Sequence, residues 1–140
     1  MSDAHLFEIL SRTVLQAGLA PAVVTARWTG LRRAFGDFEP ESAARLTEAQ
    51  LEVLAADPAL LRNRPKLRAV VLNARTVAQL RAGHGSFAAW VWGLEERPYE
   101  QRLEILADTF ERVGARSAHL FLEAVGLARP DDWQHFEART

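Results

Sequence analysis

Three stretches of this sequence carry residue types that could act together on an anion. The first is Phe110–Leu127, FERVGARSAHLFLEAVGL. It reads as the end of one helix, a bend at Val113, Gly114, Ala115 and Arg116, and a second helix opened by Ser117. Gly114 is expected to let the chain leave the first helix through a left-handed conformation, which only glycine adopts without steric cost. The amides of the next turn then stand unpaired at a helix N-terminus and suit an anion, with Arg116 beside them as a charge-assisted donor. The second stretch is Gln16-Ala17-Gly18-Leu19, a helix end closed by Gly18, with Leu19 just beyond it. The third places Arg62, Arg64, Lys66 and Arg68 within seven residues at the start of a long helix. A helix dipole disfavours cations there, so a bound phosphate is the expected neutraliser; a solvated charged face is the plainer alternative. Arg27, Arg32 and Arg33 form a weaker second patch.

Other chemistry is thinner. Glu8 and Asp108 are the carboxylates nearest these elements and the acid/base candidates, against a structural role as salt bridge or cap. Asp131 and Asp132 follow Pro130 and read as helix-start charges. His5, His84, His119 and His135 have no metal-ligand spacing, and the absence of cysteine excludes disulfides and thiolate metal sites. Neither a metal nor a cofactor is expected.

These residues must be positioned by a chain of 140 residues, of which 49% are hydrophobic and 25% charged, the balance of one globular domain spanning 1–140. A formal charge of −1 gives no global attraction to nucleic acid, so any such site must be a local patch. The cations are nearly all arginine, with Lys66 the single lysine. The N-terminus does not read as a signal peptide and no apolar run is long enough to span a membrane, so the expected location is cytoplasmic.

Apolar residues recur at helical spacing throughout, and no period-2 run flanked by turn residues occurs. Ser2 or Asp3 caps a first helix that Gly18 ends. Pro21 opens a second, which runs to Gly36. A turn at Asp37–Pro40 precedes a short helical piece from Ser42. Thr47 and Gln50 form a capping box for Thr47–Ala56, and Ala59–Leu61 reads as a short helical turn. The longest helix is expected over Pro65–Ala82, followed by Phe87–Leu94 capped by Ser86. A helix from Pro98 leads into the bend, and a last one begins at Pro130 or Asp131. Trp92 is expected in the core and Trp90 at the surface; Trp28 and Trp133 read as packing residues. The fold class is all-α, with about eight helices joined by Gly and Pro turns.

Four short motifs, QAGL at Gln16–Leu19, DFEP at Asp37–Pro40, LLRNRPK at Leu60–Lys66 and VLNA at Val71–Ala74, together with Gly85–Trp92 and the bend, give the chain a resemblance to 3-methyladenine DNA glycosylase I, within the helix-hairpin-helix glycosylase superfamily. The likeness covers nearly the whole chain. It implies a helix-hairpin-helix near residues 106–126 that grips a phosphate of double-stranded DNA, and Leu19 as an apolar wedge filling the gap left by an everted base. It also implies base-excision repair: eversion of an alkylated base and hydrolysis of its bond to the sugar.

The same resemblance exposes departures. Where the family carries its base-recognising glutamate stands Thr13, and where it has a pocket tryptophan stands Pro21. Its zinc site of Cys and His ligands cannot form. The family's N-terminal segment ahead of Leu6-Phe7-Glu8 is expected to be missing, and an apolar patch left by its loss is expected to pair two copies as a homodimer. Three functions follow from different classes: a glycosylase with an altered pocket, a catalytically inactive damage-recognition module, and a helical protein-interaction domain.

Overall fold

A computed structural model describes all 140 residues and contains nine α-helices and no strand. They are α1 (Asp3–Gln16), α2 (Pro21–Ala34), α3 (Pro40–Ala44), α4 (Glu48–Ala56), α5 (Arg64–His84), α6 (Phe87–Gly93), α7 (Tyr99–Thr109), α8 (Ala115–Ala124) and α9 (Pro130–Arg139), with 3₁₀ turns at Gly36–Phe38 and Leu94–Glu96. No helix is long and apolar enough to cross a membrane.

Helix α5 is the central strut. Leu67, Val70, Val71, Ala74 and Val77 recur at helical spacing and are almost wholly buried, and α1, α3, α4 and α6 pack around them. On α1, Leu6, Phe7, Leu10, Val14 and Leu15 form the facing stripe. Each such side chain contributes about 1.5–3 kcal/mol on burial. Asp3, at the start of α1, accepts hydrogen bonds from the Phe87 and Ala88 amides (both 3.0 Å) and from Arg81 (3.0 Å), tying α1 to the α5–α6 junction.

Sequence capping signals hold in detail at several ends. Ser2, Thr47 and Ser86 accept from the amides of His5, Gln50 and Ala89, and Gln50 completes the capping box. The structure corrects other expectations. Residues 57–60 make only a turn, closed by Leu60 N–H donating to Asp57 (3.1 Å). Helix α5 continues to His84 because the left-handed exit comes at Gly85, with φ +85°.

The tryptophan assignments reverse. Trp90 packs with the core, stacked at 6.0 Å on Phe87 and edge-on at 5.8 Å to Phe110, whereas Trp92 is 37% exposed. The reason is register: Trp90 lies three residues after the fully buried Phe87, on the same helix face, and Trp92 lies some 200° round from Trp90.

The candidate cleft and the elements that hold its two sides

The bend between α7 and α8 is built differently from its expected form. The chain reverses at Arg112, with φ +58°, while Gly114 is extended at φ −88° and α8 already begins at Ala115. The reversal falls early because Asn73, projecting from α5, binds both backbone groups of Glu111. Its Oδ1 accepts from Glu111 N–H (2.7 Å) and its Nδ2 donates to Glu111 C=O (3.1 Å). Gly114 is therefore not demanded by the turn. A Cβ added there would meet nothing within 4 Å, and no side chain caps the first amides of α8.

On the other side, α1 ends at Gln16 and Gly18 turns the chain at φ +77°. Leu19 is 38% exposed rather than packed in the core. The end of α1 is fixed by Lys66, whose Nζ donates to the carbonyls of Leu15 (3.2 Å) and Ala17. Lys66 is only 5% exposed, so the expectation that it meets a ligand phosphate is corrected: its charge neutralises the C-terminal end of α1. Burial, and then the nearby Arg112 guanidinium, hold its pKa below the usual lysine value.

The rest of that basic run is also engaged inside the molecule. Arg64 pairs with Glu48 (3.0 Å) and Glu52 (2.7 Å), and Arg68 with Glu48 (3.1 Å). Arg62 is exposed and has no carboxylate within 4.0 Å. In the second patch, Arg32 stands 3.9 Å from both Glu8 and Asp37, and Arg27 donates to Val23 C=O.

Between these two sides lies an open cleft of about 660 Å³. Helix α1 and its exit loop supply Ile9, Arg12, Thr13, Gln16, Ala17, Gly18 and Leu19; α8 supplies Arg116, Ser117, Leu120 and Ala124. The structure thus brings Thr13, Gln16, Gly18, Leu19 and Arg116 to one cavity. Val113 is buried beneath the corner, Gly114 and Ala115 stand beside the cleft at the head of α8, and Arg62 and Arg64 are not among its lining. Thr13 donates to Leu10 C=O (2.7 Å), which leaves its oxygen free to accept.

Arg12 escaped sequence reasoning, although its spacing from Ile9, Thr13 and Gln16 marks it as a neighbour on the same helical face. Its guanidinium lies 4.9 Å from the centre of the Trp28 ring and donates to Gln16 (3.3 Å) and Thr25 (2.6 Å). Arg116 lies in the same manner over Trp133, at 5.1 Å. Trp133 in turn packs on His119, a buried ring bonded to the Tyr99 hydroxyl (2.7 Å) and to Glu123 (2.8 Å). Burial, then the charge of Asp132, push the Tyr99 hydroxyl up to about 12, so it stays protonated at neutral pH.

The acid/base candidates do not reach the cavity. Glu8 accepts from the Trp28 indole N–H (2.8 Å), and Asp108 is an exposed residue of α7; neither lines the cleft. Asp132 caps α9 by accepting from Arg129 N–H (2.7 Å), and His135 is exposed.

An all-helical fold whose central strut holds a cleft between an early helix end and a late helix start defines a class, an all-α domain with an open site between two helix termini. Comparison with known proteins specifies it: residues 1–109 match the methyladenine glycosylase family, and the chain belongs to that family. It is 26% identical to DNA-3-methyladenine glycosylase 1 of Escherichia coli over 87% of this chain and 75% of the relative. The crystal structure of a 3-methyladenine DNA glycosylase I superposes with a TM-score of 0.81 at 25% identity, covering 92% of this chain and 81% of the other. A single-substitution variant of such an enzyme, solved in complex with 3-methyladenine, gives a TM-score of 0.80 at 25% identity over 90% and 78% of the two chains. The family match ends at the last residue of α7, so α8, which forms one side of the cleft, lies outside it.

Proposed function

We propose that this protein binds double-stranded DNA in base-excision repair and turns a damaged nucleotide into the α1–α8 cleft. The α7–α8 corner acts as the hairpin: the amides after Gly114 and the Arg116 guanidinium take a backbone phosphate, and exposed Leu19 wedges into the opened stack. The observation that carries this reading is that the Gln16–Leu19 loop and the first turn of α8 face each other across one open cleft. The family's chemistry is hydrolysis of the bond from base to sugar, which in a site of this kind needs a shaped pocket and a positioned water more than a strong acid. Thr13, Gln16 and Ser117 are the neutral polar groups available to hold that water.

A second reading, recognition without excision, is favoured by one specific feature: no carboxylate lines the cleft.

Duplex affinity measured by fluorescence anisotropy across a salt series tests the DNA reading. Binding should weaken steeply as salt rises, and Gly114→Val, which the fold accommodates, should abolish it. Persistence of binding in that variant removes the corner from the interface. Strand breakage at alkali-labile sites in alkylated duplex then separates excision from recognition.

A further inference from the structure

The cleft carries a charge opposite to the one a cationic ligand requires. Arg12 and Arg116 both line it, one from each side, and no Asp or Glu does. Neither guanidinium has a carboxylate within 4.0 Å; each rests instead on a tryptophan face, which fixes it in place and leaves its charge unneutralised. The carboxylates that approach from the same helices are committed elsewhere, Glu8 to Trp28 and Arg32, and Glu123 to His119. What remains at the walls is uncharged: the Thr13 and Ser117 hydroxyls, the Gln16 amide, and the apolar Ile9 and Leu120.

We infer that the cleft takes a nucleotide whose base is uncharged and rejects one whose base carries a positive charge. The inference rests on the DNA-binding reading above and names the class of damage within it. An uncharged base finds hydroxyl and amide partners and apolar walls, and its own phosphates find the two guanidiniums. A base alkylated to a cation finds no carboxylate to pair with and adds a like charge beside Arg12 and Arg116, which the backbone phosphates offset only in part.

The test uses the full chain and two duplexes identical except at one nucleotide, placed opposite a mismatched adenine. One contains 2′-fluoroguanosine; the other contains 2′-fluoro-7-methylguanosine, which is cationic at the mildly acidic pH of the titration, where it keeps its N1 proton, and which the fluorine protects from depurination. Wild type should bind the uncharged duplex about tenfold more tightly than the cationic one. Arg116→Glu, a change at an exposed position, and Thr13→Glu, which puts a carboxylate into the cleft, should each shrink or reverse that ratio. Equal affinity of wild type for both duplexes, a preference for the cation, or a ratio unmoved in both variants overturns the inference while DNA binding stands. Failure to bind either duplex at low salt overturns both.

Discussion

The start of α5 and the mouth of the α1–α8 cleft contrast in what their cations do. The first holds the densest basic run in the sequence, yet Lys66 is buried against carbonyls of α1, and Arg64 and Arg68 are shared among Glu48 and Glu52. The second draws its two arginines from positions 104 residues apart, and both remain without a carboxylate partner. Density along the chain therefore says little about where positive charge is free. What decides it is which side chains tertiary contacts leave unpaired.

The contrast can be broken at several points. Lys66→Met should be the most damaging change, costing about 3 kcal/mol in urea unfolding, because two carbonyls at the end of α1 lose their donor. A loss of duplex affinity with undiminished stability would instead return Lys66 to the ligand surface.

At the far end of α5, Asp3→Asn should cost about 2 kcal/mol at neutral pH. Burial alone would raise the Asp3 pKa, but the Phe87 and Ala88 amides and Arg81 outweigh it and hold the group below its ordinary 3.8. The folded value is thus depressed relative to the unfolded one. Its stabilisation is complete above about pH 4 and is lost as pH falls through the lowered value. The stability difference between wild type and variant should narrow over that acid range, as read from urea midpoints at stepped pH.

Arg12→Ala and Arg116→Ala should each reduce duplex affinity about tenfold and lower the salt slope by about one, with stability changed by at most about 1 kcal/mol. Anisotropy titrations at two salt concentrations read both quantities. The smallest effect is expected at Arg64→Ala and Arg68→Ala. Their exposed ion pairs should be worth under about 0.5 kcal/mol, and duplex affinity should stay within about twofold. A larger affinity loss there than at Arg12 and Arg116 would invert the comparison.

Much of the scaffold was readable before folding. Helix periodicity, the Thr47–Gln50 box and the Gly18 exit are local signals, and local backbone geometry satisfied them. The motifs that carried the family resemblance proved to hold the cleft rather than to line it alone. Asn63 caps α5, Lys66 secures the end of α1, and Asn73 secures the turn before α8. Asn73 was marked by a signal that could have been used, a polar residue within the buried apolar stripe of α5. Arg12 carried only its helical spacing, and nothing local distinguished it from any exposed arginine.

By itself, then, the sequence determined an all-helical chain and carried the short motifs that resemble the methyladenine glycosylase family. Those properties depend on residue type and on neighbours within a turn or two, which the chain states directly. Only the tertiary structure decided that Lys66 faces inward, that Gly114 is spared the left-handed turn, and that Arg12 and Arg116 line one open cleft. Each of these is a matter of distance between groups far apart in the chain. Desolvation and pairing depend on that distance, and residue spacing does not record it.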